Sequence, residues 1–132
     1  MQVTFQDYES QVIRAAAILT NSYVPATVLG VADLVESKNQ LVLLISFTIG
    51  SLTDGRVRVE FSPDGTTYYR ETSTSAPTAG LVDDVAFDHR YVASGNYRIA
   101  IPLKDRYVRV SALGTGTLTA SSMTITAVVG TA

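Results

Sequence analysis

The stretch GRVRVEFSPDGTTYY, residues 55 to 69, constrains the fold of this chain more than any other. Val57, Val59 and Phe61 alternate with Arg56, Arg58 and Glu60, and a period of two sends one set to a core and the other to solvent. That is the pattern of a half-buried strand. Ser62-Pro63-Asp64-Gly65 follows with turn chemistry: proline presets φ, aspartate suits the second corner, and glycine takes the left-handed conformation that closes a short hairpin. Thr66 to Tyr69 are expected to open the return strand.

The same grammar recurs along the chain. LVLLISFTI at 41 to 49 is apolar at nearly every position, as in a strand buried on both faces or central in a sheet. ATVLGVADLV at 26 to 35 reads as a strand with a bulge at Gly30, and ESKNQ at 36 to 40 as the turn after it. Val85, Phe87 and Arg90 to Val92 form one further strand. Tyr97, Ile99 and Ile101 form another, stopped at Pro102, which cannot donate to a ladder. Lys104-Asp105 turns the chain into Val108 and Val110. Gly114-Thr115-Gly116 reads as a tight turn, and Asp54-Gly55 likewise. The closing strand puts Met123, Ile125, Ala127 and Val129 on one side and Thr124 and Thr126 on the other. Between these runs, RETSTSAPTAG at 70 to 80 lacks large apolar groups and is expected to leave the sheet as a mobile surface loop.

Two segments are less uniform. Residues 1 to 9 show no sustained period and read as an N-terminal arm. Residues 10 to 20 fit a helical stripe (Val12, Ala15 or Ala16, Leu19) and strand alternation (Ile13, Ala15, Ala17, Leu19), and the all-β context favours the strand. About eight or nine short antiparallel strands at spacings of roughly 8 to 12 residues, with turns between, predict an all-β, jelly-roll-like β-sandwich. The expected organisation is an arm at 1–9 and a single sandwich domain at 10–132.

Composition narrows the chemistry. A chain of 132 residues, 46% hydrophobic and 17% charged, can bury a core without help, and without cysteine it has neither disulfides nor thiolate metal ligands. A net charge of −2 gives no electrostatic footprint for nucleic acid. The N-terminus has no signal-peptide pattern, and Leu41 to Ile45 falls far short of the roughly 20 residues that span a bilayer. The expectation is a product made in the cytoplasm, with no membrane partner.

No catalytic, cofactor or metal residue is assigned. His89 is the single histidine; Asp88 alternates to the opposite strand face and is not its orienting acid, so His89 reads as a rim residue. Asp83, Asp84, Asp88, Glu60 and Glu71 carry no calcium-loop spacing and no placeable acid pair. Gly114 to Thr117 precedes no helix and so makes no phosphate loop. Seven tyrosines and no tryptophan raise a host glycan as a partner, through stacking on exposed rings. The candidate surface contacts are Phe5, Tyr8, Tyr68, Tyr69, Tyr91 and Tyr107.

The succession LVLLISFTIGSL, FSPDGTTYY, a Ser/Thr-rich loop, NYRIAIP, RYVRVSALGTGTLTA and a closing alternating strand resembles the small β-sandwich virion proteins encoded among the structural genes of tailed bacteriophages. The likeness covers residues 26 to 130. It implies a non-enzymatic structural protein of the virion, without cofactor, assembled as a homo-oligomer with a trimer favoured. The leading role it implies is a capsid decoration or auxiliary head protein that binds the major capsid protein or another virion protein, with residues 1–25 and 70–84 as contacts. The alternative is a head-fibre, collar or tail adsorption module that binds host carbohydrate.

Overall fold

The computed structural model describes residues 6–26, 39–74, 78–103, 105 and 107–131. Its strands are β1 (Gln6–Ala17), β2 (Val24–Pro25), β3 (Gln40–Thr48), β4 (Leu52–Ser62), β5 (Tyr69–Arg70), β6 (Thr72–Thr74), β7 (Asp84–Ala86), β8 (His89–Tyr91), β9 (Gly95–Pro102), β10 (Tyr107–Gly116) and β11 (Ser122–Thr131). All pair antiparallel. One sheet has the order β1-β11-β3-β9; the other runs β2-β10-β4-β5, with β8 also on β4. Strands β5 and β8 share one edge of β4, against Glu60–Phe61 and Gly55–Val57 respectively. Counted as one interrupted strand, they leave eight positions ordered 1-8-3-6 against 2-7-4-5, which is the jelly-roll sandwich expected.

The two inner faces make the core. From the first sheet come Ile13, Leu41, Leu43, Ile45, Phe47, Ile99, Ile101, Met123, Ile125 and Val129; Val57, Val59, Val108 and Val110 face them from the second. Full burial of each aliphatic side chain contributes about 1.5–3 kcal/mol before chain entropy is set against it. Strand β3 is central, between β11 and β9, yet Leu44 remains 43% exposed. Its nearly continuous apolar run therefore serves two surfaces, a core and an outer face.

The ordered sheet reaches further toward the N-terminus than expected. Strand β1 begins at Gln6 and pairs with β11 through Ala17, so residues 6–9 belong to the sandwich and not to an arm, and 10–17 are strand. The pairing slips at three places, between Gln6 and Glu9, Val12 and Arg14, and Arg14 and Ala17. At the last slip the Arg14 guanidinium donates to the carbonyls of Ala17 and Ile18, at 3.2 and 3.1 Å, and to that of Met123. Carbonyls left unpaired by the bulges thus find a donor. The strand expected at 26–35, its Gly30 and most of the 36–40 turn lie outside the described residues.

The β4 hairpin keeps its faces but has a longer loop. The return strand starts at Tyr69, opposite Phe61, and not at Thr66. Asp64 explains the delay: its Oδ1 accepts from the amides of Thr66 and Thr67, at 2.8 and 3.0 Å, and from Ser62 Oγ at 2.9 Å. Side-chain acceptors thereby replace ladder partners over these residues. Gly65 takes the left-handed φ of +77° that the turn requires.

Two expected turns are strand instead. Gly55 and Gly114 lie opposite each other in the β4–β10 ladder. A Cβ on Gly55 would strike the Phe47 ring at 2.6 Å, and one on Gly114 would strike Leu19 at 2.9 Å. These glycines answer to packing across the sandwich, which a local reading cannot see. The chain turns only after Gly116 (φ +97°).

The segment read as a loop at 70–84 makes its own hairpin, with Thr72, Ser73 and Thr74 opposite Ala86, Val85 and Asp84. At its tip Thr78 and Leu81 exchange backbone hydrogen bonds of 2.8 and 2.9 Å. Ala79 and Gly80 stand at φ of 53° and 78°, the sign pattern of a type I′ turn. The strand expected across 85–92 is split into β7 and β8 by Phe87 and Asp88, where the chain returns from this hairpin to the β4 edge.

Candidate functional site

The solvent face of the second sheet carries a lattice of arginines and carboxylates. Strand alternation puts Arg56, Arg58 and Glu60 on one face of β4, and the ladder sets Arg109 of β10 opposite Glu60 and Arg90 of β8 opposite Arg56. Arg109 donates to Glu60 in a fork of 3.1 and 3.0 Å. Its guanidinium carbon sits 4.1 Å from the centre of the Tyr68 ring, a cation–π contact.

Asp88 is the second node. Arg58 donates to it twice, at 3.0 and 3.2 Å, Arg70 once at 2.9 Å, and Tyr23 Oη at 2.8 Å. Arg58 also lies 3.9 Å over the Tyr23 ring. Burial acts to raise the Asp88 pKa, but the bonds from Arg58 and Tyr23 outweigh it and hold the carboxyl below its usual range. Burial and the Asp88 bond push the Tyr23 phenol up to about 12.

Asp54 is the third node and the deepest. Its side chain is 1% exposed and accepts a fork from Arg56 (3.1 and 3.1 Å), a 2.7 Å bond from Arg90 and a 2.8 Å bond from Thr115 Oγ1. Burial works to raise its pKa; the donated bonds win and bring it to about 2. Acceptor capacity on this carboxylate is thus largely met inside the fold.

His89 pairs with Glu71 at 3.1 Å and meets the Phe87 ring edge-on at 5.4 Å. Asp88 is committed to the arginines, so it is not the acid beside the histidine. Among the described residues, no three His, Asp or Glu side chains are grouped to hold a metal ion, and no helix is long and apolar enough to cross a membrane.

The candidate tyrosines do not form one surface. Tyr91 is half-buried, stacked on Tyr97 with centroids 4.3 Å apart and packed against the core; burial, then the neighbouring Tyr97, raises its pKa to about 12. Tyr107 is half-buried beside Gly65. Tyr91 pairs with Gly55 and Tyr107 with Ser62, on opposite edges of β4 and about 23 Å apart along it at strand rise. Tyr68 lies under Arg109, whereas Tyr69 is 59% exposed. Tyr8 falls in β1, and Phe5 lies outside the described residues. The arginine–carboxylate lattice lies outside the candidate surface contacts named from the sequence. Its local signal was there in the alternation of Asp54, Arg56, Arg58 and Glu60 along β4, but Arg70, Asp88 and Arg90 are brought to it from other segments by the fold.

The outer face of the first sheet is its opposite in character. Leu44, Ser46, Asn96, Arg98, Thr124 and Thr126 surround a shallow depression of about 390 Å³ there, and among the described residues Arg98 is the only charged group lining it.

No protein-family model matches this chain, and no curated protein sequence matches it significantly. Among solved structures, the chain is similar to the crystal structure of the SPBc2 prophage-derived protein YomS. The TM-score is 0.56 at 15% identity, over 98% of this chain and 97% of that one. At that identity the likeness is one of fold, and it extends from end to end of both chains.

Proposed function

We propose that this protein is a non-enzymatic structural component of a bacteriophage particle, acting as a capsid decoration or auxiliary head protein that binds the major capsid lattice and stabilises it. The observation that carries the reading is the end-to-end likeness to a prophage-derived protein of the same fold. It agrees with the order of motifs that resembles phage virion sandwiches. The fold alone would not license a role. The build of the molecule is consistent with one: the charged face of its second sheet is held in internal ion pairs, and the depression on the outer face of the first is lined by a single charged group among the described residues, suited to packing against protein. Repeated copies on a lattice gain effective concentration, so modest single contacts suffice.

The test is to mix purified protein with capsids that lack it. Co-sedimentation with the capsids and a raised temperature of DNA release are expected. Binding to tails alone, or hits on a glycan array without capsid binding, would move the protein to an adsorption role.

A further inference from the structure

Among the described residues, two apolar surfaces are left exposed to solvent. One is the end of the β6–β7 hairpin, where Leu81 is 72% exposed, Val82 47% and Val85 55%. The turn at Thr78–Leu81 is closed by mutual backbone bonds, although this places Ala79, a residue with a Cβ, in the left-handed region. Local strain kept at an exposed apolar tip is a reason to look for a partner. The other surface is the depression on the outer face of β1-β11-β3-β9, where Leu44 is 43% exposed.

We infer that the β6–β7 hairpin of one copy docks into the outer-face depression of a second copy. The two surfaces match in chemistry. The hairpin's aliphatic side chains meet Leu44 and the methyl groups of Thr124 and Thr126, while Asp84, beside Val85 in β7, faces Arg98, the one cation lining the depression among the described residues. The opposite outer face is excluded by the same reasoning, since an apolar tip there would strip water from paired charges with nothing in return. The contact joins two different patches, so it is heterologous, and it closes into a ring when the rotation between copies allows. Each protomer then gives one hairpin and receives one, doubling the area buried per chain toward that of a stable interface.

The inference is independent of the particle reading, because it is measured on the purified full chain with no capsid present. Sedimentation velocity over a concentration series should show association for the wild type. Arg98→Glu and Asp84→Arg should each weaken it, by on the order of a hundredfold, and the two together should restore it. Leu81→Asp should weaken it without restoration by either. All three positions are exposed, so thermal unfolding of dilute protein should not change. A wild type that stays monomeric overturns the inference, as does association that Arg98→Glu and Leu81→Asp leave unmoved.

Discussion

Gly55 of β4 lies beneath the ring of Phe47 on the facing sheet, so close that a Cβ built on it would stand 2.6 Å from Cζ. The two residues are a matched pair across the sandwich. Gly55 is the one position of β4 without a side chain, and the Phe47 ring takes the vacated volume, touching Tyr91 beyond it with centroids 6.4 Å apart.

Gly55→Ala is therefore an overpacking change. It should destabilise the protein by about 1–3 kcal/mol, read as a lowered urea midpoint with an unchanged slope. Phe47→Leu alone costs stability through the cavity it opens, but in the Gly55→Ala background the smaller side chain should recover part of the loss. A double-mutant cycle that comes out additive would break the pairing of these two positions.

Asp54 makes acid stability measurable. Its carboxyl is held at about 2 in the folded state against an ordinary value of 3.8. Its contribution is complete above about pH 4 and is lost as pH falls through 2, because the unfolded chain then binds the proton more readily. The shift corresponds to at most about 2 kcal/mol. Asp54→Asn should cost about 3 kcal/mol at neutral pH by leaving Arg56 and Arg90 without their anion. It should also flatten the fall in melting temperature between about pH 4 and pH 2. A variant whose acid limb parallels the wild type would remove Asp54 from that role.

Ala79 stands at φ 53° in the tip of the hairpin. Ala79→Gly should stabilise the turn by about 0.5–1 kcal/mol, relief of the Cβ clash being partly offset by the greater freedom of glycine when unfolded. Slower amide exchange at Thr78 and Leu81, whose N–H groups close the turn, is the expected readout. Faster exchange would mean that the tip is held by something other than its own dihedrals.

How much of this was legible in the chain depends on the range of the physics. Alternation is local, so the inward faces of β4, β9, β10 and β11 could be assigned residue by residue: Val57, Ile99, Val108 and Ile125 all lie in the core. The type of turn at Ser62–Gly65 was legible too, though its length was not, because Asp64 can cap amides two and three residues ahead without any signal in spacing. The segment at 70–84 misled for another reason. Short polar Thr and Ser runs carry little burial signal, and their pairing as β6 and β7 is set by register at the tip.

The sequence by itself determined the class of fold, because a period of two with frequent turns leaves no other way to bury this much aliphatic surface. It also determined that one face of β4 would be charged. The tertiary structure alone decided which charges meet. Asp54, Asp88 and Glu60 each find partners in other segments, 18 to 65 residues away, and a carboxylate carries no local mark of the guanidinium that the fold will bring to it. The same holds for Gly55 and Gly114. Their lack of a side chain reads as a turn in one dimension, and as room for Phe47 and Leu19 once the two sheets are closed on each other.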